Sequence, residues 1–431
     1  MSSQKKTSSW GNYPTINHSP HYFSNDSEIS AEKFIPRGNA RSYGDSSLSE
    51  TMIDMRKHNL MLDFENENGV LHCQSGVLLS EIIEVFLPRG WFPLVTPGTK
   101  FITIGGAIAS DVHGKNHHTT GSFSECVIEF SLLLPEGKIL KCSKEIHSDF
   151  YQATLGGMGL TGIILDAKIQ LQKVESQFID QHTIKTNNLR DTFDQFEKFI
   201  GSSYSVAWID CLAKNNVLGR GIFTAGEHAQ DKNFSYQSKK KLPFPFHAPS
   251  FCINQLTIKA FNTLYYHRIS KRESYQKVSI DQFFYPLDGI ENWNRAYGKQ
   301  GFLQYQFVLP TENSYQGMQE VLQEIAQAGT GSILTVLKLM GEANNNLLSF
   351  PRKGYTFAID FKNNQKNINL LKRLDDIVIN HGGRFYLAKD ARVSKEVFDK
   401  GYPNVEQFRA FRKEHQLNNH LSSLQSQRLK L

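Results

Sequence analysis

The sequence predicts an α+β fold in two domains. Three observations lead there. The 431 residues exceed the span of one ordinary hydrophobic core. Strand-like and helix-like stretches mix along the chain without an internal repeat. Three glycine-rich stretches interrupt its first half. With 39% hydrophobic and 21% charged residues, the composition is that of an ordered globular protein.

In chain order, Gly, Asn and Ser crowd residues 37–47, where a strand cannot persist and backbone amides are left free to face a ligand. Residues 70–73 read as a short strand and 78–87 as a helix with an apolar stripe. The run TPGTKFITIGGAIASDVHGKN, 96–116, has small residues where side chains would obstruct close backbone approach, and reads as a loop. CVIEFSLLLPEGKILKC, 126–142, is two β-prone runs around a Pro-Glu-Gly-Lys turn, hence a hairpin, with a short helix after it. Ile163, Leu165, Ala167, Ile169 and Leu171 alternate with period two, a half-buried strand that brings the first domain to its end near Val174. Beyond it, strand-like runs at 204–211, 303–309 and 355–361 mix with helical ones at 315–328 and 367–380, which predicts a sheet covered by helices. SKKKLPFPFHAP, 238–249, has the prolines and phenylalanines of a mobile loop.

Lys and Arg outnumber Asp and Glu by 48 to 42. That net +6 is too diffuse to argue for nucleic acid, but it favours an anionic ligand or membrane surface. Cys73, Cys126, Cys142, Cys211 and Cys252 are odd in number, widely spaced and without a CxxC pair. They argue against a disulfide framework or zinc knuckle and for a reducing compartment, the cytoplasm. The start, MSSQKKTSSWGNYP, lacks the apolar core of a signal peptide, and no later stretch is long and apolar enough to span a bilayer. Any membrane contact is therefore expected to be peripheral.

Gly157, Gly159 and Gly162 satisfy GxGxxG, yet they lead into an alternating strand instead of leaving one and opening a helix. A Rossmann site is not expected from that context. A different arrangement fits the glycines better, in which separate loops of one domain surround an extended dinucleotide and offer amides to its phosphates. The candidate loops are PRGNARSYGD at 36–45, PGTKFITIGGAIASDVHGKNHH at 97–118 and ATLGGMGLTG at 153–162. In this order they resemble the vanillyl-alcohol-oxidase (PCMH-type) family of FAD enzymes, and within it the branch of decaprenylphosphoryl-β-D-ribose 2-oxidases. YQFVLPT at 305–311, LKLMG at 337–341, LSFP at 348–351 and GGRFYLAKDAR at 382–392 match that branch in the same order.

The resemblance implies a PCMH-type FAD-binding domain, residues 1–174 and 385–431, with an α+β substrate domain, 175–384, inserted into it. It implies FAD held without a covalent bond by Arg41, Ser42, Tyr43 and Gly44 of the first loop. From the second loop it adds Gly98, Thr99, Gly105, Gly106, Ala109, Ser110, His113, Gly114 and Asn116. Gly156, Gly157, Gly159, Gly162 and Ile163 follow from the third, and Tyr386 from the C-terminal segment.

Flavin is an electron sink, so the protein has to orient a carbinol, assist loss of its proton and direct hydride to the ring. Lys389, in YLAKDAR, matches the active-site lysine of the family. A lysine desolvated beside a flavin can act as base or hydrogen-bond donor, with Asp390 and Arg392 to steady it. His113, in DVHGKNHH, is the second catalytic candidate, because histidine shuttles protons near neutral pH. His113, His117 and His118 lack the helical spacing and acidic partner of a hydrolytic zinc site, so no metal is expected. The resemblance places Tyr43, Lys115, Gln304, Gln306, Lys338 and Lys389 around the substrate. Gln304 and Gln306 share a strand face and offer donor and acceptor to sugar hydroxyls, while lysine offers charge to a phosphate. Without the resemblance, the same residues read as ordinary surface groups.

Where mycobacterial members of the branch carry a cysteine, this chain has Ala358, in YTFAIDF, which leaves thiol-trapping inhibitors nothing to attack and reshapes the pocket wall. The reaction implied is oxidation of a secondary hydroxyl, C2 of a polyprenyl-phosphate-linked pentose, to the keto-sugar in cell-wall biosynthesis. A separate short-chain reductase would complete the epimerisation, and a quinone or other acceptor would take the electrons. The rivals are a sugar alcohol or aldonolactone oxidase of the same fold using soluble substrates and oxygen, and a flavin-binding protein without turnover. Lys239, Lys240 and Lys241, ahead of Phe244 and Phe246, read either as a solvated loop or as a contact with anionic headgroups at the inner face of the membrane.

Overall fold

Alternating apolar residues from 163 onward form the long strand Ile163–Lys173, flanked by Val70–Gln74 and Val127–Leu133. Val127–Leu133 pairs in turn with Ile139–Ser143, closing the hairpin at Leu133↔Ile139, and Gly137 supplies the positive φ of 86° that the turn requires. Met61–Glu65 and Trp91–Pro93 complete an antiparallel sheet. The helix Leu79–Phe86 lays Leu79, Ile82 and Phe86 into the same apolar cluster as Leu71, Phe130 and Ile169. This is a computed structural model, and it describes residues 5–24, 32–238, 242–249 and 251–431.

The stretch 96–116, expected as loop, contains a short helix, Ile104–Ala109. Two local features favour it over a loop. Thr103 caps its start, Oγ1 accepting from the Gly106 amide at 3.1 Å. Gly105 lets the turn lie against Ser75, whose Cβ would be 3.0 Å from a Cβ placed there.

A smaller sheet orders Lys5–Ser8, Thr15–Tyr22, Thr51–Asp54 and Ile35–Arg37, and the loop 38–47 leaves its edge. The third sheet is antiparallel throughout. It runs Glu273–Ser279, Phe178–Thr186, Gly221–His228, Tyr204–Ile209, Thr335–Met340, Gly354–Lys362, Phe302–Pro310 and Arg384–Phe385. Phe385, assigned by the expected boundary to the first domain, pairs with Phe307 and so stands on the edge of this sheet.

The helices Thr311–Ala328 and Gln365–Asn380 cover one face of the third sheet. Met318, Val321, Leu322 and Ile325 recur at helical spacing and meet Phe307, Leu309 and Phe357 in one cluster. Each such side chain contributes ~1.5–3 kcal/mol by leaving water. The opposite face carries Gln304, Gln306, Lys338, Ala358 and Asp360. The helix Gln255–His267 is not among the elements expected from sequence; Asn254 caps it by accepting from the amides of Leu256 and Thr257. Phe244 and Phe246 are described, whereas Lys239, Lys240 and Lys241 lie outside the described residues. Among the described residues no helix is long and apolar enough to cross a membrane.

The C-terminal helices Lys395–Gly401, Val405–Glu414 and Leu424–Leu429 return to the first half of the chain. Buried Arg412 donates to the carbonyls of Leu160 and Leu421. A single apolar cluster runs from Ile35, Leu48 and Leu160 through Phe307 and Phe357 to Phe398 and Phe408, so the two halves share a core. Arg428 joins two of the loops: its Nη2 lies 2.8 Å from Asp45 Oδ1 and 2.8 Å from Asp390 Oδ2. Replacing it with Met leaves two buried carboxylates short of their cation. Urea unfolding of Arg428→Met is expected to show a loss of about 3–5 kcal/mol, and a loss below about 1 kcal/mol would reduce this contact to the worth of a surface ion pair.

Candidate active site

Between the polar face of the third sheet and the glycine-rich loops lies a cavity of about 980 Å³, at the upper end of ligand clefts. The loops reach it together because they are bonded to one another. Asn39 Nδ2 donates to the Phe101 carbonyl at 2.8 Å, and Gly38 lies so close to Thr103 that a Cβ would sit 2.2 Å from its Oγ1. The amides of Gly156 and Met158 donate to the carbonyls of Ile108 and Ala109, at 3.1 and 2.8 Å. Tyr43 donates its amide to Ala388, which brings Lys389 alongside.

A buried carboxylate holds the second loop to the far half of the chain. Asp111, fully buried, accepts from Ser122 Oγ at 2.9 Å, the Ser124 amide at 2.8 Å, Asn344 Nδ2 at 2.7 Å and Ser349 Oγ at 2.5 Å. Its backbone takes φ 38°, a left-handed conformation costly for a non-glycine residue, which these bonds hold in place.

Of the expected cofactor residues, Arg41, Ser42, Tyr43, Gly98, Thr99, Gly105, Gly106, Ala109 and Ser110 line the cavity. So do His113, Gly114, Gly159, Gly162 and Tyr386. Gly44, Asn116, Gly156, Gly157 and Ile163 stand behind the wall instead. A Cβ on Gly44 would lie 1.7 Å from the Asp390 carbonyl oxygen, and those on Gly156 and Gly157 would press on Ser349 and on the Ala153 carbonyl. Asn116 donates to the Leu94 carbonyl, and Ile163 is buried opposite Leu133 in the first sheet. These five shape the loops and do not face the cavity.

The loop end of the cavity suits a diphosphate. Ala40 takes φ 52°, a backbone reversal of the kind that turns successive amides toward a common anion. The amides of Asn39, Ala40 and Arg41 have no protein acceptor among the described residues. Arg41 stacks over Trp10 at 4.1 Å, and its buried Nε has no partner among the described residues.

The sheet end is built for different chemistry. The register Gln304↔Asp360, Gln306↔Ala358 and Lys338↔Thr356 puts these side chains in adjacent rows. Gln304 Nε2 donates to Asp360 Oδ1 at 2.7 Å. His113 sits between two partners, with Nε2 3.1 Å from the Gln306 amide nitrogen and Nδ1 3.1 Å from Lys338 Nζ. Lys389 Nζ lies over the Tyr43 ring at 3.7 Å from its centroid. Lys115 donates to the Phe283 carbonyl and lies over that ring at 4.3 Å.

Burial sets the titration of this cluster. Loss of solvent lowers Lys338 to about 7. It does the same to Lys115, helped by the charge of Lys338. Lys389 also falls to about 7, mainly through burial, with Asp360 pulling it up and Lys338 pushing it down. Burial raises Asp360 to about 7 against the opposing pull of Gln304 and Lys389. His113 is held well below its usual value by burial and then by Lys338.

His117 accepts the Gly341 amide on Nδ1 at 2.9 Å, and His118 Nε2 donates to the Ser202 carbonyl at 2.9 Å. The three histidines therefore turn to separate partners. Trp10 and Trp293 also line the cavity, and Asp360 stands beside Gln304 on the adjacent strand; sequence reasoning singled out none of the three. The available signal for Asp360 was its spacing of two from Ala358, on a strand already suspected of forming the pocket wall.

Comparison with known proteins agrees with this geometry. The FAD binding domain family matches residues 28–143. Decaprenylphosphoryl-β-D-ribose oxidase of Mycolicibacterium smegmatis is 34% identical over 388 residues, covering 87% of this chain and 84% of that protein. An uncharacterized protein of Streptomyces coelicolor is 28% identical over 78% of this chain and 95% of its own length. L-gulonolactone oxidase of Bos taurus is 27% identical over 35% of this chain and 34% of its own length. The cofactor is FAD, and the protein is an oxidoreductase. The chain belongs to the decaprenylphosphoryl-β-D-ribose oxidase family of PCMH-type FAD-binding flavoproteins.

Proposed function

We propose that the protein oxidises the C2 hydroxyl of a polyprenyl-phosphate-linked pentose to the keto-sugar, as the oxidase half of an epimerisation that a separate short-chain reductase completes. The observation that carries this reading is the row of Gln304, Gln306, His113 and Lys338 beside Lys389 on one cavity wall. Amides that both donate and accept suit a sugar's hydroxyls, and buried ammonium groups suit a phosphate. FAD supplies the acceptor for the hydride of the carbinol. A quinone or another acceptor would then reoxidise it.

Lys389, lowered to about 7, can accept the hydroxyl proton near neutral pH. Asp360, held by Gln304, keeps a negative charge near it above its own value of about 7. Gln306 fixes the tautomer of His113. Gln306 Nε2 donates to His113 Nε2 and to Thr356 Oγ1, so the ring proton sits on Nδ1, where a neutral Lys338 accepts it. Both ring nitrogens of His113 are engaged in this way, which supports noncovalent attachment of the cofactor. Acid precipitation is expected to release all the flavin into the supernatant; colour retained in the pellet would show a covalent bond.

Anaerobic flavin bleaching across free sugars, lactones and polyprenyl-phosphoryl pentoses tests the substrate. Bleaching by the lipid-linked pentose is expected, and rapid peroxide formation with free alditols or lactones alone would favour the soluble-substrate oxidase. Lys389→Ala is expected to keep FAD and lose at least about 100-fold in the bleaching rate, whereas normal bleaching would remove this lysine from the chemistry. The lysines titrating near 7 are charged below it, and charge favours a phosphate. Substrate affinity should therefore fall as pH rises through about 7, while the bleaching rate at saturation rises with the neutral fraction of Lys389. Affinity independent of pH from 6 to 8, roughly one unit either side of that value, would overturn the phosphate assignment.

A further inference from the structure

From Lys232 to Arg272 the chain contains no Asp or Glu and eight Lys or Arg residues. That exceeds the net +6 of the whole protein, so the rest of the chain is net −2. The same segment concentrates exposed apolar side chains. Leu242, Phe246 and Phe251 are 76%, 63% and 74% exposed. The helix Gln255–His267 buries Ile258, Asn262 and Tyr266 on one side. Leu256 and Leu264, at 79% and 73% exposed, fall with Ala260 at spacings of four on the other. The two stripes are two residues out of step, about 200° apart, so the second faces away from the protein. Exposed Lys259, Arg268, Lys271 and Arg272 flank it.

We propose that this face is a membrane-docking surface, with the outer stripe of Gln255–His267 and the neighbouring Leu242, Phe246 and Phe251 entering the interface of an anionic bilayer. An outward apolar stripe bordered by cations is the pattern of a helix lying in the headgroup region. The absence of acids across the whole segment gives the complementary charge, each surface cation adding about 1 kcal/mol near anionic lipid. Continuity with the site fixes the direction. Tyr265 in the last turn of the helix, and Arg268, Ile269, Ser270 and Lys271 directly after it, line the cavity. This inference deepens the lipid-linked reading of the substrate, because a polyprenyl tail left in the bilayer would present its sugar phosphate at that rim.

Flotation of the FAD-loaded protein with vesicles of phosphatidylglycerol and phosphatidylcholine, against phosphatidylcholine alone, tests it without substrate. Binding to the anionic vesicles is expected, weakened by salt. Leu256→Ser/Leu264→Ser, on exposed positions outside the cavity, is expected to reduce it about tenfold while leaving bleaching by detergent-dispersed substrate unchanged. No binding by the native protein, equal binding by the double variant, or self-association through this face without vesicle binding would each overturn the proposal. Bleaching without vesicle binding would sink the docking surface alone, and vesicle binding without bleaching would sink the substrate reading alone.

Discussion

Desolvation of positive charge governs this molecule's chemistry. Lys115, Lys338 and Lys389 are withdrawn from water along one wall, with His113 wedged against Lys338 and the carboxyl of Asp360 beside Lys389. Burial drives each ammonium toward its neutral form near pH 7. A group in that state can do two things that an exposed lysine cannot. It can take up a proton from a substrate hydroxyl, and it can regain its charge when an anion enters. Binding and chemistry thus draw on the same unfavourable burial, and the sheet supplies the rigidity that keeps the wall from relaxing around it.

Such a wall requires firm support, and two buried carboxylates provide it. Asp111 gathers donors from residues 122–124 and 344–349, tying the loop that carries His113 to the chain after Lys338. Asp390, next to Lys389, shares Arg428 with Asp45 of the first glycine-rich loop. Neither carboxylate faces the cavity, yet between them they set the positions of both catalytic candidates. Gly44 contributes by absence, since any side chain would collide with the Asp390 carbonyl.

Elements with strong local periodicity were legible in the sequence. The 163–171 alternation, the 126–142 hairpin and the helices over 315–328 and 367–380 all form, because one face of each is apolar at the period of its structure. The helix Ile104–Ala109 was hidden by its own glycines, which are there for close packing against Ser75 and conceal the cap at Thr103. The helix Gln255–His267 was hidden for the opposite reason: apolar residues on two faces blur the stripe that marks a half-buried helix. For the site, the glycine loops could be read directly and the Gln304/Gln306 pair through the family resemblance, whereas Asp360 depended on strand register and Asp111 on contacts more than 200 residues away in sequence, which no local pattern encodes.

The apolar cluster that runs beneath both halves has a consequence for access. Halves joined by a common interior have no seam along which to part, since opening one would bring side chains such as Phe307, Phe357 and Phe408 into water. Jaw-like opening is therefore the expensive route for any large ligand. The affordable route is rearrangement of the outer lip, where the acid-free segment borders the cavity and few buried side chains would have to move.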